Sequence, residues 1–170
     1  MNTTTVAEIF PPGEFLREEL EARGWSQTEL AEIIGRPVRL INELIAGKKA
    51  ITPETAVQLG DSLDTGPELW MNLESQYQLS KVRNTDADPG YTAGYDAAIV
   101  KAFRKRMQLI RAAIDERAFY AMKSLHYEKL KGNLDGHSSM RLNDQWRLLL
   151  RLRQDEDGKT VVVISIADYH

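Results

Sequence analysis

Residues 26–47 read SQTELAEIIGRPVRLINELIAG, and the fold of the first half of the chain turns on them. Ser26 followed by Glu29 forms a capping box, in which each side chain answers the other residue's backbone N–H. The helix it opens ends at Gly35, a residue suited to the left-handed turn at a helix C-terminus. A second helix begins just beyond it, and Pro37 is tolerated in the first turn, where an N–H has no helical partner. Ile41, Leu44 and Ile45 recur at helical spacing and mark the buried stripe of this second helix. Two short helices joined this tightly have helix-turn-helix spacing, which lets the second stand clear of its bundle and enter a major groove.

The positions left outside that stripe are Val38, Arg39, Asn42 and Glu43. Arginine and asparagine in such places can make bidentate contacts to guanine and adenine edges. Gln27, at the start of the preceding helix, is placed to hold a phosphate together with backbone amides. Arg36 before the second helix and Lys48 and Lys49 after it suit phosphates on either flank. The plain alternative is a helical bundle with a solvated polar face.

Outward from this core the pattern stays helical. Phe15, Leu16 and Leu20 share one stripe that closes at Gly24, and Thr52 with Pro53 starts a further helix. Thr65 and Glu68 predict another capping pair, after which Trp70, Leu73 and Tyr77 fall on one face. The expectation is five short helices over residues 1–80. Periodicity then breaks in KVRNTDADPGYTAGY, and 81–97 reads as a linker. Residues 97–130 are amphipathic helix in two pieces divided near Asp115. After them the period changes to two: HSSMRLN, QWRLLLRLR and KTVVVISIAD are strands separated by Asn143–Asp144 and by DEDG. The fold class expected is α+β, a five-helix helix-turn-helix bundle followed by a helix-and-antiparallel-sheet module over 98–170.

Charge divides the same way. The net charge of −3 comprises −7 over residues 1–80, −1 over 81–97 and +5 over 98–170. An acidic half and a basic half suit each other, and the basic one suits a polyanion. The chain has no cysteine, which excludes disulfides, zinc–thiolate sites and cysteine nucleophiles together. No apolar run is long enough for a membrane span, so no membrane partner is expected. MNTTTVAEIFPPGEF lacks the basic and apolar regions of a secretory signal, and the location expected is cytoplasmic.

The first half resembles a known family. PPGE at its opening, SQ-x-x-LA, INELIAGKKAIT and the closing WMNLESQY are similar to the HigA branch of the Cro/repressor-type antitoxins over nearly the whole half. That resemblance implies a DNA-binding antitoxin that represses its own operon, as a homodimer on a palindromic operator.

The second half, through LKG, R-x-N-D-Q-W-R and the terminal DYH, resembles the HigB toxins, a branch of the RelE-like messenger-RNA interferases. The resemblance implies a ribonuclease acting on messenger RNA at the ribosome with no metal and no cofactor, whose terminal residues close the active site. Such cleavage helps a 2′-hydroxyl attack its neighbouring phosphate, which needs an acid, a base and fixed positive charge. Lys131, Arg141 and Arg147 can supply the charge. His170 is the natural acid or base near neutral pH, Tyr169 can stack on a base or donate a proton, and Asp168 can orient His170 or an arginine. Glu128 stands where some of these toxins carry a histidine, and is a second acid/base candidate. Strand alternation puts Arg147, Arg151 and Arg153 on the face opposite Trp146, Leu148, Leu150 and Leu152. His137 is a loop histidine that either contacts RNA or is merely solvated.

This chain departs from the family in two ways. The strand and helix that normally open such toxins are missing or replaced by linker, which leaves the sheet short of an edge strand. Toxin and antitoxin are also ordinarily separate chains. A short linker between them sets an effective concentration on the order of millimolar, so contact between the halves, within one chain or across a dimer, is expected. The leading reading is a DNA-binding autoregulator of a type II toxin–antitoxin system carrying a masked or degenerate toxin. The alternatives are an active endoribonuclease restrained in cis, and a toxin-neutralising interaction protein that does not bind DNA.

Overall fold

The structure, a computed structural model, describes residues 8–83, 94–156 and 158–168. Its class is α+β: a helical region with the helix-turn-helix comes first, and an antiparallel four-stranded sheet with helices follows. The helices are α1 (Pro12–Arg23), α2 (Gln27–Ile33), α3 (Val38–Ile45), α4 (Pro53–Leu63), α5 (Pro67–Arg83), α6 (Ala97–Ala112) and α7 (Arg117–Ala121). The strands β1 (Glu128–Lys129), β2 (Ser138–Arg141), β3 (Trp146–Asp155) and β4 (Gly158–Asp168) lie side by side in chain order.

Local signals set most helix starts. Ser26 and Glu29 form both bonds of the capping box, and Thr52 caps α4 with Pro53 at its first position. Gly13 is demanded by packing, because a side chain there would collide with the Leu44 carbonyl at the end of α3. Phe15, Leu16, Leu20, Ile41, Leu44 and Trp70 are buried as their spacing implied, with Tyr77 half-buried.

Three expectations fail locally. Thr65 is no cap: its Oγ1 accepts from the indole Nε1 of buried Trp70 at 2.9 Å, since an indole N–H taken from water requires an acceptor. Helix α5 runs past the expected boundary at Ser80 to Arg83, because no Gly or Pro interrupts it there. The helix expected to reach residue 130 stops at Ala121, and a 3-10 turn carries Lys123–Leu125. Ala118, Phe119, Met122 and Leu125 still point inward, but apolar spacing does not distinguish one long helix from several short turns. His126 then turns the chain with φ 43°, and Glu128 pairs with Ser139 in the sheet.

The two halves share one buried cluster, which runs from Phe10 through Trp70 to Leu109, Met122, Met140 and Leu150. Helix α6 joins them. Gln108 exchanges two hydrogen bonds with the backbone of Phe10, at 2.8 and 2.9 Å. Asn72 Nδ2 donates to the Ala112 carbonyl at 2.7 Å. Glu19 on α1 is fully buried and accepts from the backbone N–H groups of Lys123 (2.8 Å) and Ser124 (3.0 Å) and from Arg23 Nε (2.7 Å). Around these bonds runs an acid–base seam. Lys105 lies 2.5 Å from Glu14 and 2.7 Å from Glu18, and Arg106 lies 3.1 Å from Glu18. The charge asymmetry of the sequence is therefore used inside the molecule.

Candidate functional site

Two polar surfaces stand out, one in each half. On the first, α2 and α3 meet through a turn at Gly35, whose φ of 65° is natural for glycine. Leu40, Ile41 and Leu44 anchor α3 in the core, so its opposite side faces outward. There Val38, Arg39 and Asn42 are exposed. The Arg39 side chain is 86% exposed, and its Nε donates to Glu43 Oε1 at 2.8 Å, one turn along the helix. That hydrogen bond holds Glu43 below the usual carboxylate range, with the charges of Lys49 and Lys48 adding to it. Lys48 and Lys49 are exposed just after α3, and their N–H groups donate to the Glu43 carbonyl at 2.9 and 3.2 Å. Arg36 pairs with Glu54 at 2.9 Å, and Gln27 is half-buried at the start of α2. Of the seven residues singled out in the sequence, Val38, Arg39, Asn42, Lys48 and Lys49 are exposed, whereas Gln27 and Arg36 are half-buried.

The second surface is a sheet face. Register puts Glu128 beside Ser139 and Arg141 beside Arg147, and alternation places all four on the side away from Met140, Leu148 and Leu150. Arg147 is the hub. Its Nε donates to Ser139 Oγ at 2.8 Å, its Nη2 donates to the His126 carbonyl at 2.6 Å, and it lies 2.9 Å from Glu128 Oε1. Ser139 Oγ also donates to Glu128 Oε1 at 3.3 Å. Arg141 contacts Asp144 and approaches His126 Nε2 at 3.2 Å. The strand pairing expected across DEDG is present and sets Asp168 opposite Trp146, where its Oδ2 accepts from Gln145 Nε2 at 2.8 Å. Lys131 is exposed in the loop after β1 and, among the described residues, joins none of these bonds. Tyr169 and His170 lie outside the described residues, and with them the expected closure of the face by the tail. His137 is half-buried, with its Nε2 3.3 Å from Arg151.

The sequence reading missed Ser139 and His126. Alternation with Arg141 could have placed Ser139 on the polar face; His126 had no signal, because its segment read as helix. A cleft of about 470 Å³ adjoins this face, lined by Glu18 and Glu21 of α1, Arg106 of α6, and His126, Arg141 and Asp144. Carboxylates of the first half thus stand directly in front of cations of the second.

Comparison with known proteins agrees with this division. The helix-turn-helix family matches residues 16–70. The family of RelE-like HigB toxins of type II toxin–antitoxin systems matches residues 87–170. The Escherichia coli HTH-type transcriptional regulator YddM, itself uncharacterised, is 30% identical over 74 residues, which span 44% of this chain and 79% of that protein. The chain belongs to the helix-turn-helix family, as a HigA-like domain joined to a HigB-like one. Virulence-associated protein A′ of Dichelobacter nodosus is 31% identical over 45% of this chain and 68% of its own length. Among solved structures, the Pseudomonas aeruginosa antitoxin HigA with the higBA promoter is 31% identical over 45% of this chain and 85% of its own, with a TM-score of 0.44. An addiction module antidote protein of the HigA family from Coxiella burnetii is 30% identical over 49% of this chain and 95% of its own, with a TM-score of 0.42. The HigB-like match begins at residue 87, earlier than the 98 expected from the motifs.

Proposed function

We propose that this chain is a DNA-binding autoregulator of a type II toxin–antitoxin system whose HigB-like half is held masked by its HigA-like half. One observation carries the reading: the chain leaves its reading helix open while its acidic α1 covers the basic α6. In this reading Arg39 and Asn42 contact base edges, Val38 packs beside them, and Gln27, Arg36, Lys48 and Lys49 hold phosphates. Two chains bind a palindromic operator as a homodimer. Residues 1–80 act as the antitoxin domain, 81–97 as linker and 98–170 as the toxin domain, in the cytoplasm. In this reading the masking is within the chain, and the Glu14 and Glu18 contacts to Lys105 and Arg106 support it.

The deciding experiment is a gel shift of the full chain against its own promoter at several stated salt concentrations. A specific complex that outlasts competition by random DNA supports the reading, and its absence at every salt concentration rejects it.

A second reading keeps the toxin competent. The cluster of Glu128, Ser139 and Arg147 is intact and places a carboxylate beside a fixed cation, as a metal-independent endoribonuclease needs. In that reading Glu128 or His170 acts as acid or base, Lys131, Arg141 and Arg147 carry the transition-state charge, Tyr169 stacks on a base or donates a proton, and Asp168 orients His170 or an arginine. Growth arrest on expressing the chain with Glu14 and Glu18 both changed to Lys, abolished by Arg147→Ala, would favour it over a degenerate domain.

A further inference from the structure

We propose that β4 is a self-pairing edge: two copies of the chain join through their β4 strands, antiparallel about a twofold axis, with Lys159 of one copy opposite Asp168 of the other. This names the surface that makes the homodimer, and it rests on the reading above only for there being one.

In the order β1-β2-β3-β4, β4 has one neighbour, so among the described residues its outer edge carries no ladder. The strand is 11 residues long and contains the run Val161-Val162-Val163-Ile164. A long apolar edge of this kind is a template for pairing with another chain. Which backbone groups face outward follows from one bond. The Leu142 N–H donates to the Trp146 carbonyl at 2.9 Å, so Trp146, Leu148 and Leu150 direct their backbone groups toward β2. Arg147, Leu149 and Arg151 then face β4, and their partners Ala167, Ser165 and Val162 face back. Left pointing outward are Lys159, Val161, Val163, Ile166 and Asp168.

These outward positions complement themselves. In the twofold register that sets Lys159 opposite Asp168, Val161 falls opposite Ile166 and Val163 opposite Ile164. Apart from the bulge residue Ile164 at the axis, outward-facing residues meet outward-facing residues, and opposite charges close both ends. A shift of one residue would set Lys159 against Ala167 and turn the bonding groups out of phase. Side chains agree with this register. Val161, Val163 and Ile166 pair with Leu152, Leu150 and Leu148 and lie on the helix-covered face, yet they are only half-buried at its rim. A second copy would cover that rim with the same three residues. The ladder irregularity between Leu149 and Leu150 makes Ile164 the extra residue, and it falls at the axis, leaving regular runs on either side. Lys159 is 2.9 Å from Glu116 and Asp168 accepts from Gln145; an ammonium with three donors can keep Glu116 and gain Asp168.

The test is sedimentation of the full chain across a concentration series. A reversible dimer is expected. K159E or D168K alone should weaken it by roughly tenfold or more, and the double reversal K159E/D168K should recover association. Because K159E also loses its Glu116 contact, Val161→Pro serves as a second variant: it removes an outward N–H without touching the β3 ladder, and it should also weaken the dimer. A monomer at every concentration would overturn the proposal, as expected if other residues of this chain cover the edge. A dimer indifferent to Val161→Pro, or single reversals that the double does not rescue, would overturn it equally. Promoter binding is measured separately. Its loss from an intact β4 dimer would reject the functional reading and leave this one standing.

Discussion

Arg39 and Arg147 set the same guanidinium in opposite circumstances. On α3, the Arg39 side chain is 86% exposed and leans on Glu43 one turn away. On β3, the Arg147 side chain is 12% exposed and is held by Ser139, Glu128 and the His126 carbonyl. An ion pair one helical turn apart on the surface contributes little, so Arg39 can leave Glu43 for a base edge at little cost. Arg147 cannot move without breaking three contacts at once. The difference teaches what each surface suits: an adaptable arginine reads, whereas a fixed one presents charge to a reacting centre without reorganising.

The largest expected effect tests that contrast on stability. Arg147→Ala takes the donor from the Ser139 hydroxyl and the His126 carbonyl and the cation from beside Glu128, and should lower unfolding free energy by about 1–3 kcal/mol. Arg39→Ala should leave it nearly unchanged. Urea unfolding of both variants measures this, and equal losses would show that the two arginines are held alike.

The same pair separates on DNA in the other direction. Arg39→Ala should weaken promoter binding by about 1–3 kcal/mol, traceable to one operator position. Arg147→Ala should leave promoter binding unchanged at temperatures where it stays folded. If Arg39→Ala loses as much on random DNA, the residue holds phosphate rather than a base.

Legibility in the sequence follows the same division. On the helix-turn-helix, exposure was readable from period alone, because Ile41 and Leu44 fix the inward side of α3 and leave Arg39 and Asn42 outward. Caps at Ser26 and Thr52 were equally local. The toxin-like face was only half legible. Alternation along β3 put Arg147 opposite Leu148, but its partners come from separate segments, and His126 owes its place to a left-handed turn inside apolar spacing that read as helix. Thr65 misled because a local capping signal was overruled by the buried indole of Trp70. The charge asymmetry foretold attraction between the halves. It could not say that Glu14 and Glu18 would meet Lys105 and Arg106 around one shared core.

A finer contrast lies within the reading surface. Lys48, unlike Arg39, follows α3 in an exposed turn and should act through phosphate alone. Lys48→Ala should lower affinity for promoter and random DNA alike, and reduce the slope of log affinity against log salt by about one. An unchanged slope would place the DNA elsewhere on the molecule.

The smallest effect concerns carboxylates rather than arginines, and sets the acidic face of α1 against Glu43 on α3. Burial pushes the Glu18 carboxyl up, but the charge of Arg106 and the hydrogen bond from Lys105 outweigh it and hold the group below its ordinary value of 4.5. A carboxyl whose folded value is depressed binds its proton more weakly in the native state. Its contribution to stability is therefore complete above 4.5 and is lost as pH falls through the lowered folded value. Glu43 is lowered too, mainly by its hydrogen bond with Arg39, but that partner lies in solvent, so the bond is screened and contributes little to folding. Glu18 lies between the halves, so its protonation should loosen α1 from α6 before the helix-turn-helix itself unfolds. The measurement is the thermal midpoint from about pH 6 down to about pH 3, compared with Glu18→Gln and Glu43→Gln. Glu18→Gln should start lower and fall less steeply than the unaltered chain, while Glu43→Gln should follow it closely. If Glu18→Gln falls as steeply as the unaltered chain, the seam between the halves does not depend on that charge, and their contact must rest on Glu19 and the shared core.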